Sequence, residues 1–74
     1  MEVKGTFDVP STFRLGDIFT LDSSLAVAYA DQVPAVTESA GSWGKVQISD
    51  TLARVYLNTA GGNWIAFYGK WTLA

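Results

Sequence analysis

Bulky and polar residues alternate one by one near the start of this chain. Val3, Gly5, Phe7 and Val9 fall on one side, and Glu2, Lys4, Thr6 and Asp8 on the other. A period of two is the repeat of a pleated strand with one buried face. Pro10 ends the run, because it has no N–H to give to a ladder. Phe13 and Leu15 continue on one face in a short extended stretch, and Gly16-Asp17 is a turn or bulge signal.

The next part of the chain is echoed later. A shift of 27 positions lays FTLDSSLAVAYAD (19–31) on VQISDTLARVYLN (46–58). Leu25 meets Leu52, Ala26 meets Ala53, and Tyr29 meets Tyr56. In each copy an extended run enters a Ser/Asp/Thr cluster and leaves as another extended run. Small polar residues that bond to their own backbone suit a tight turn. Each copy therefore reads as a β-hairpin, 17–21 with 25–30 and 44–48 with 52–58. A helix capped by Asp22 or Ser23 competes for the first copy. Leu25, Val27 and Tyr29 on a bulky side, against Ala26, Ala28 and Ala30 on a small side, favour a strand.

Residues 34–44 (PAVTESAGSWG) read as the main loop and the most mobile part. NTAGG (58–62) reads as a glycine-rich turn. The closing stretch NWIAFYGKWTLA is apolar on both faces, which implies burial on both. Gly69 marks a bulge or bend within it. These segments predict an all-β fold: a small antiparallel β-sandwich or barrel of six to eight short strands built from hairpins, as one domain spanning 1–74.

Composition narrows what such a sheet can do. Cysteine and histidine are absent, which removes disulfides, thiolate metal sites and the commonest general base. No cationic, apolar leader is visible, and the run LAVAYA is far too short for a membrane span. Five basic residues are scattered among seven acidic ones, which argues against duplex nucleic acid as a partner. The carboxylates Asp8, Asp17, Asp22, Asp31, Glu38 and Asp50 fall at strand ends and turns, where aspartate is ordinary. Calcium ligation by Asp22, Asp31 or Asp50 lacks the alternating spacing of a Ca²⁺ loop. The serines have no histidine to activate them, and a lysine base is not placed beside any of them. The glycines of GSWG and AGGNW lack the strand–loop–helix setting of a phosphate cradle. No catalytic residue, cofactor or metal is therefore expected.

A 74-residue core breaks even at best against chain entropy, so association with copies or with a larger partner is expected. Trp64, Phe67 and Trp71, with Tyr56 and Tyr68, are the candidate interface residues, since aromatic residues anchor interfaces; the alternative is that the tryptophans fill one small core. A second reading takes Trp43, Tyr56 and Trp64 as a surface platform for sugar rings.

The stretch ISDTLARVYLNTAGGNWIAF carries an aspartate-threonine turn, a tyrosine-bearing strand, an asparagine, a glycine turn, then tryptophan and an apolar strand. It resembles the short β-hairpin modules of tailed-phage virion proteins, found in tail fibres and in capsid decoration (cement) proteins. The upstream GDIFTLDSS is similar. The resemblance implies an all-β, non-enzymatic, oligomeric protein, often trimeric, with Tyr56 and Trp64 as packing residues of the hairpin. The expectation is a capsid decoration module of a virion that binds copies of itself and capsid subunits. A tail-fibre module and a carbohydrate-binding module are the alternatives.

Overall fold

The computed structural model describes residues 1–74, and its six strands form one curled antiparallel sheet, a half-barrel. The strands are β1 (Glu2–Asp8), β2 (Leu15–Thr20), β3 (Gln32–Thr37), β4 (Gly44–Ser49), β5 (Leu52–Leu57) and β6 (Trp64–Lys70). Their order across the sheet is β1-β6-β3-β4-β5-β2. The all-β class, the strand count and the small barrel-like form agree with the sequence pattern.

Register explains why these residues form the core. Val46 stands opposite Val55, and Ile48 opposite Ala53. All four are fully buried. On β6, Ile65 and Phe67 point inward, flanked by Phe7 of β1 and Ala35 of β3. Strand β2 places Ile18 and Phe19, consecutive residues, against the same core. The ladder to β5 slips there: Asp17 faces Arg54 and Phe19 faces Ala53, so Ile18 is an extra residue. A bulge turns both neighbours inward, as the glycine-aspartate signal suggested.

The sheet's two edges, β1 and β2, meet through rings. Phe7 of β1 stacks on Phe19 of β2 at 5.3 Å between centroids, and on Phe67 of β6 at 5.5 Å. Trp71 closes one end. Its ring meets Phe67 edge-on at 6.4 Å, and its Nε1 donates to the Asp31 carbonyl at 2.8 Å. A Cβ on Gly69 would come within 2.6 Å of the Trp71 ring and of Val33. Gly69 thus marks a close approach inside a paired strand, in place of the expected bulge.

Three expectations are corrected. Residues 25–30 are not a strand, and the first hairpin does not form. Asp22 Oδ1 accepts from the Ser24 N–H at 3.0 Å and from the Ser24 hydroxyl at 2.8 Å, capping a single 3-10 turn at Ser23–Leu25. Strand β2 pairs with β5 instead. Residues 26–28 bond to the C-terminal tail: Ala28 N–H donates to Thr72 O at 2.7 Å and Ala74 N–H to Ala26 O at 2.9 Å.

Second, the loop expected at 34–44 is shorter, because β3 runs through Pro34 to Thr37. The bond from Ile48 N–H to Asp31 O turns the odd-numbered residues of β3 toward β4. The Pro34 nitrogen therefore faces β6, where the ladder begins only at Ala35, so its missing N–H falls at the ladder's end. Third, β6 is not buried on both sides. Ile65, Phe67 and Gly69 are buried, whereas Trp64 and Ala66 are half-buried and Tyr68 is exposed.

Candidate functional site

Every buried side-chain polar atom has a hydrogen-bond partner, so the interior holds no polar group waiting for a ligand. Candidate sites therefore lie on the outer surface, where the sheet presents two different faces.

One face is the outer side of β3 and β6. Val36 is paired with Ala66, and Trp64 and Tyr68 stand two residues to either side of Ala66 on the same side of the strand. Val36 is 61% exposed and Tyr68 52%. The Tyr68 hydroxyl donates to Glu2 Oε2 at 2.8 Å across the β1–β6 ladder. That bond to a carboxylate holds the phenol above its ordinary pKa, with burial adding to the effect.

The other face is the outer side of β4 and β5. Two shallow concavities lie along it, of about 290 and 330 Å³, both lined by Tyr56. The larger is bounded by Trp43, Lys45 and Asn58 as well. The smaller is bounded by Gln47, Ser49 and Arg54. Lys45 opposes Tyr56 in the ladder and carries its Nζ 5.5 Å from the ring centroid, a cation–π contact. Arg54 Nε bonds Asp17 Oδ1 at 2.9 Å. This bond, and then Tyr56, hold the guanidinium pKa above its usual value.

Trp43 is 68% exposed, the highest among the large apolar residues. Its backbone is nonetheless fixed. Trp43 N–H donates to Asn58 Oδ1 at 2.7 Å, and Asn58 N–H donates to Trp43 O at 2.9 Å. The Ser42 hydroxyl donates to Thr59 O at 3.0 Å, and Ser39 N–H to Gly61 O at 3.0 Å. Asn63 N–H donates to Glu38 Oε1 at 2.8 Å. Gly62, at φ 93°, leaves room for that carboxylate, which a Cβ would meet at 2.5 Å. The segment 38–43, expected to be mobile, is thus laced to the 58–63 turn.

The expected interface set is scattered by this fold. Phe67 and Trp71 are 5% and 2% exposed and belong to the chain's own core. Phe67 shares the inward phase of Ile65, and Gly69 lets the Trp71 ring fold back over the sheet. Trp64 and Tyr68 remain on the outer side of β6. Tyr56 lies on β5, with β3 and β4 between. Of the expected sugar platform, Trp43 and Tyr56 share one concavity and Trp64 does not. Sequence reasoning passed over Asn58 and Lys45. The signal for Asn58 was its place at the end of a strand, where a side-chain amide can bond a neighbouring turn.

The carboxylates do not gather, and no three of them stand together as metal ligands. No helix is long and apolar enough to cross a membrane. No protein-family model matches the chain, and searches among curated proteins and solved structures find no match either.

Proposed function

We propose that this chain is a non-enzymatic structural module of a virion, of the capsid decoration type, that associates with copies of itself and with shell subunits. The observation that carries the reading is the outer strip of β3 and β6. Val36, Trp64, Ala66 and Tyr68 give the solvent side of the sheet an apolar row next to a core that is already complete. A contiguous exposed apolar patch on a small protein marks a contact surface. The resemblance of residues 48–67 to phage hairpin modules supplies the setting. Burying that row at ~25 cal/mol per Å² gives gross energy for assembly, offset in large part by lost freedom.

Sedimentation of the purified chain tests the self-association. A multimer, with a trimer favoured, is expected, and Val36→Asp with Tyr68→Glu should return it to a monomer with unchanged circular dichroism. Immunogold labelling of intact particles tests the setting. A monomer at high concentration together with unlabelled particles would overturn the proposal.

A second reading has its own observation. Trp43, exposed beside Tyr56 on a hydrogen-bonded backbone, fits a carbohydrate-binding module whose rings stack on sugars. Quenching of Trp43 fluorescence by oligosaccharides, absent in Trp43→Ala, would favour it.

A further inference from the structure

We infer that the groove on the outer face of β4 and β5 takes an acidic polysaccharide, with a uronate carboxylate seated between Lys45 and Arg54 and a neighbouring sugar ring on Trp43 and Tyr56. This rests on the carbohydrate-binding reading and names the class of its ligand.

The argument begins with the lacing around Trp43. Two hydrogen bonds between the Trp43 backbone and Asn58, and one from Ser42 to the facing turn, fix the backbone that presents a large indole to water without giving it a core to fill. An aromatic side chain carried on a backbone already ordered before binding has only its own rotamer freedom to lose when it is covered, which suits a binding anchor. The concavity beside it, about 330 Å³, is the size of a sugar ring or two and is too shallow to enclose a compact ligand. Tyr56 borders the second concavity too, so the two lie end to end along the hairpin. A chain ligand suits a track.

Charge then selects the chain. Lys45 and Arg54 point outward on this face and one carboxylate, Asp17, shares it. The track thus carries +1 while the remaining side chains sum to −3, for a total of −2. Gln47, Ser49 and Asn58 add amide and hydroxyl groups of the kind that bond sugar hydroxyls. Two cations with one competing acid match a polymer carrying one charge per sugar. A phosphate backbone also carries one charge per unit, and what favours the sugar chain is its hydroxyls, which the amides and hydroxyl of Gln47, Asn58 and Ser49 are suited to bond.

The test titrates the folded chain with oligosaccharides of galacturonate, mannuronate and glucuronate, each beside its carboxyl-reduced neutral counterpart, and with a dT8 oligonucleotide. At least one uronate series should bind, quench Trp43 and weaken with salt. Reduction of its carboxylates, Lys45→Gln and Arg54→Gln should each cost about three- to fivefold, as exposed ion pairs do. Trp43→Ala should cost about tenfold or more. Arg54→Gln also removes a surface ion pair, so Asp17→Asn serves as its complement: freeing Arg54 should tighten uronate binding and leave neutral sugars unaffected. Equal binding of acidic and reduced sugars would overturn the inference while the carbohydrate reading stands. Binding of no sugar would end both, and binding of dT8 alone would assign the track to nucleic acid and overturn the proposal.

Discussion

The two echoed stretches, 19–31 and 46–58, share leucine, alanine and tyrosine at matching places and fold differently. The later one is a tight hairpin. Ser49 faces Leu52, and Asp50-Thr51 make a two-residue turn with Asp50 at φ 55°. The earlier one leaves the sheet after Thr20, turns through Ser23–Leu25 and meets the C-terminal tail. Two differences decide the outcome. Asp22 bonds Ser24 and drives the backbone into a 3-10 turn, whereas Asp50 is held left-handed between paired strands. The later copy also leaves as Ala-Arg-Val-Tyr-Leu, with Val55 and Leu57 to bury. The earlier leaves through three alternating alanines, which offer a sheet little to pack. The copies are bonded to each other at their turns: Leu21 N–H donates to Thr51 O at 2.7 Å, and Val27 N–H to Asp50 O at 2.9 Å. The failed hairpin wraps the tip of the successful one.

That contrast can be broken most forcefully at Trp71, which ties the earlier copy down through Asp31. Trp71→Ala should cost about 3–5 kcal/mol. This approaches the whole stability expected of such a chain, roughly 4–11 kcal/mol at 0.05–0.15 per residue. Denaturant unfolding measures the loss. Hydrogen exchange should show Val27 and Ala28 unprotected while Val46 and Val55 stay slow in whatever fraction remains folded. Equal loss at both places would mean that the two copies stand or fall together.

A smaller effect is expected at Gly69. Gly69→Ala forces a methyl against the Trp71 ring and Val33, and should cost about 1–3 kcal/mol, read from the shift of the unfolding midpoint. Asp50→Gly acts in the other direction. Glycine adopts a positive φ without a Cβ clash, so the later hairpin should gain a few tenths to about 1 kcal/mol.

The subtlest difference between the copies is in their titration. The Asp22 carboxylate is held below its ordinary pKa, first by the Ser24 N–H and then by the Ser24 hydroxyl. A depressed carboxylate stabilises the fold above its unfolded pKa, and that contribution disappears as pH falls through the lower folded value. Side-chain carboxyl NMR should show Asp22 titrating at lower pH than a free aspartate, and Ser24→Ala moving it part of the way back. Tyr68 gives the opposite sign. Its pKa is raised by Glu2, so its contribution is complete below the unfolded tyrosine value and is lost as pH rises through the folded one. Glu2→Gln should lower the pH at which tyrosinate absorbance appears.

The strands whose own side chains alternate were legible in the chain: β1 from Val3 and Phe7, the β4–β5 hairpin from Val46, Ile48 and Val55. The bulge at Ile18 was announced by Gly16-Asp17. Two kinds of feature were not. Pro34 reads as a loop residue, and it is admitted to β3 by a missing rung to β6, a tertiary circumstance with no local trace. The direction in which Trp71 points depends on the space left by Gly69 two residues earlier, so an apolar ending read as an outward surface closes the barrel instead. On the outer face, Tyr56 and Trp43 were visible as aromatic residues. Their neighbourhood with Lys45 and Asn58 is a product of register, which a one-dimensional pattern does not state.

The stack of Phe7 on Phe19 gives this half-barrel an unusual mechanical property. A fully laddered barrel can change its girth only by breaking a column of directional bonds. Here the last join is ring on ring, a contact that tolerates sliding, so circumference is a soft coordinate and length along the strands a stiff one. The molecule is a belt fastened by friction, able to ease outward at one line while every other strand keeps its neighbours.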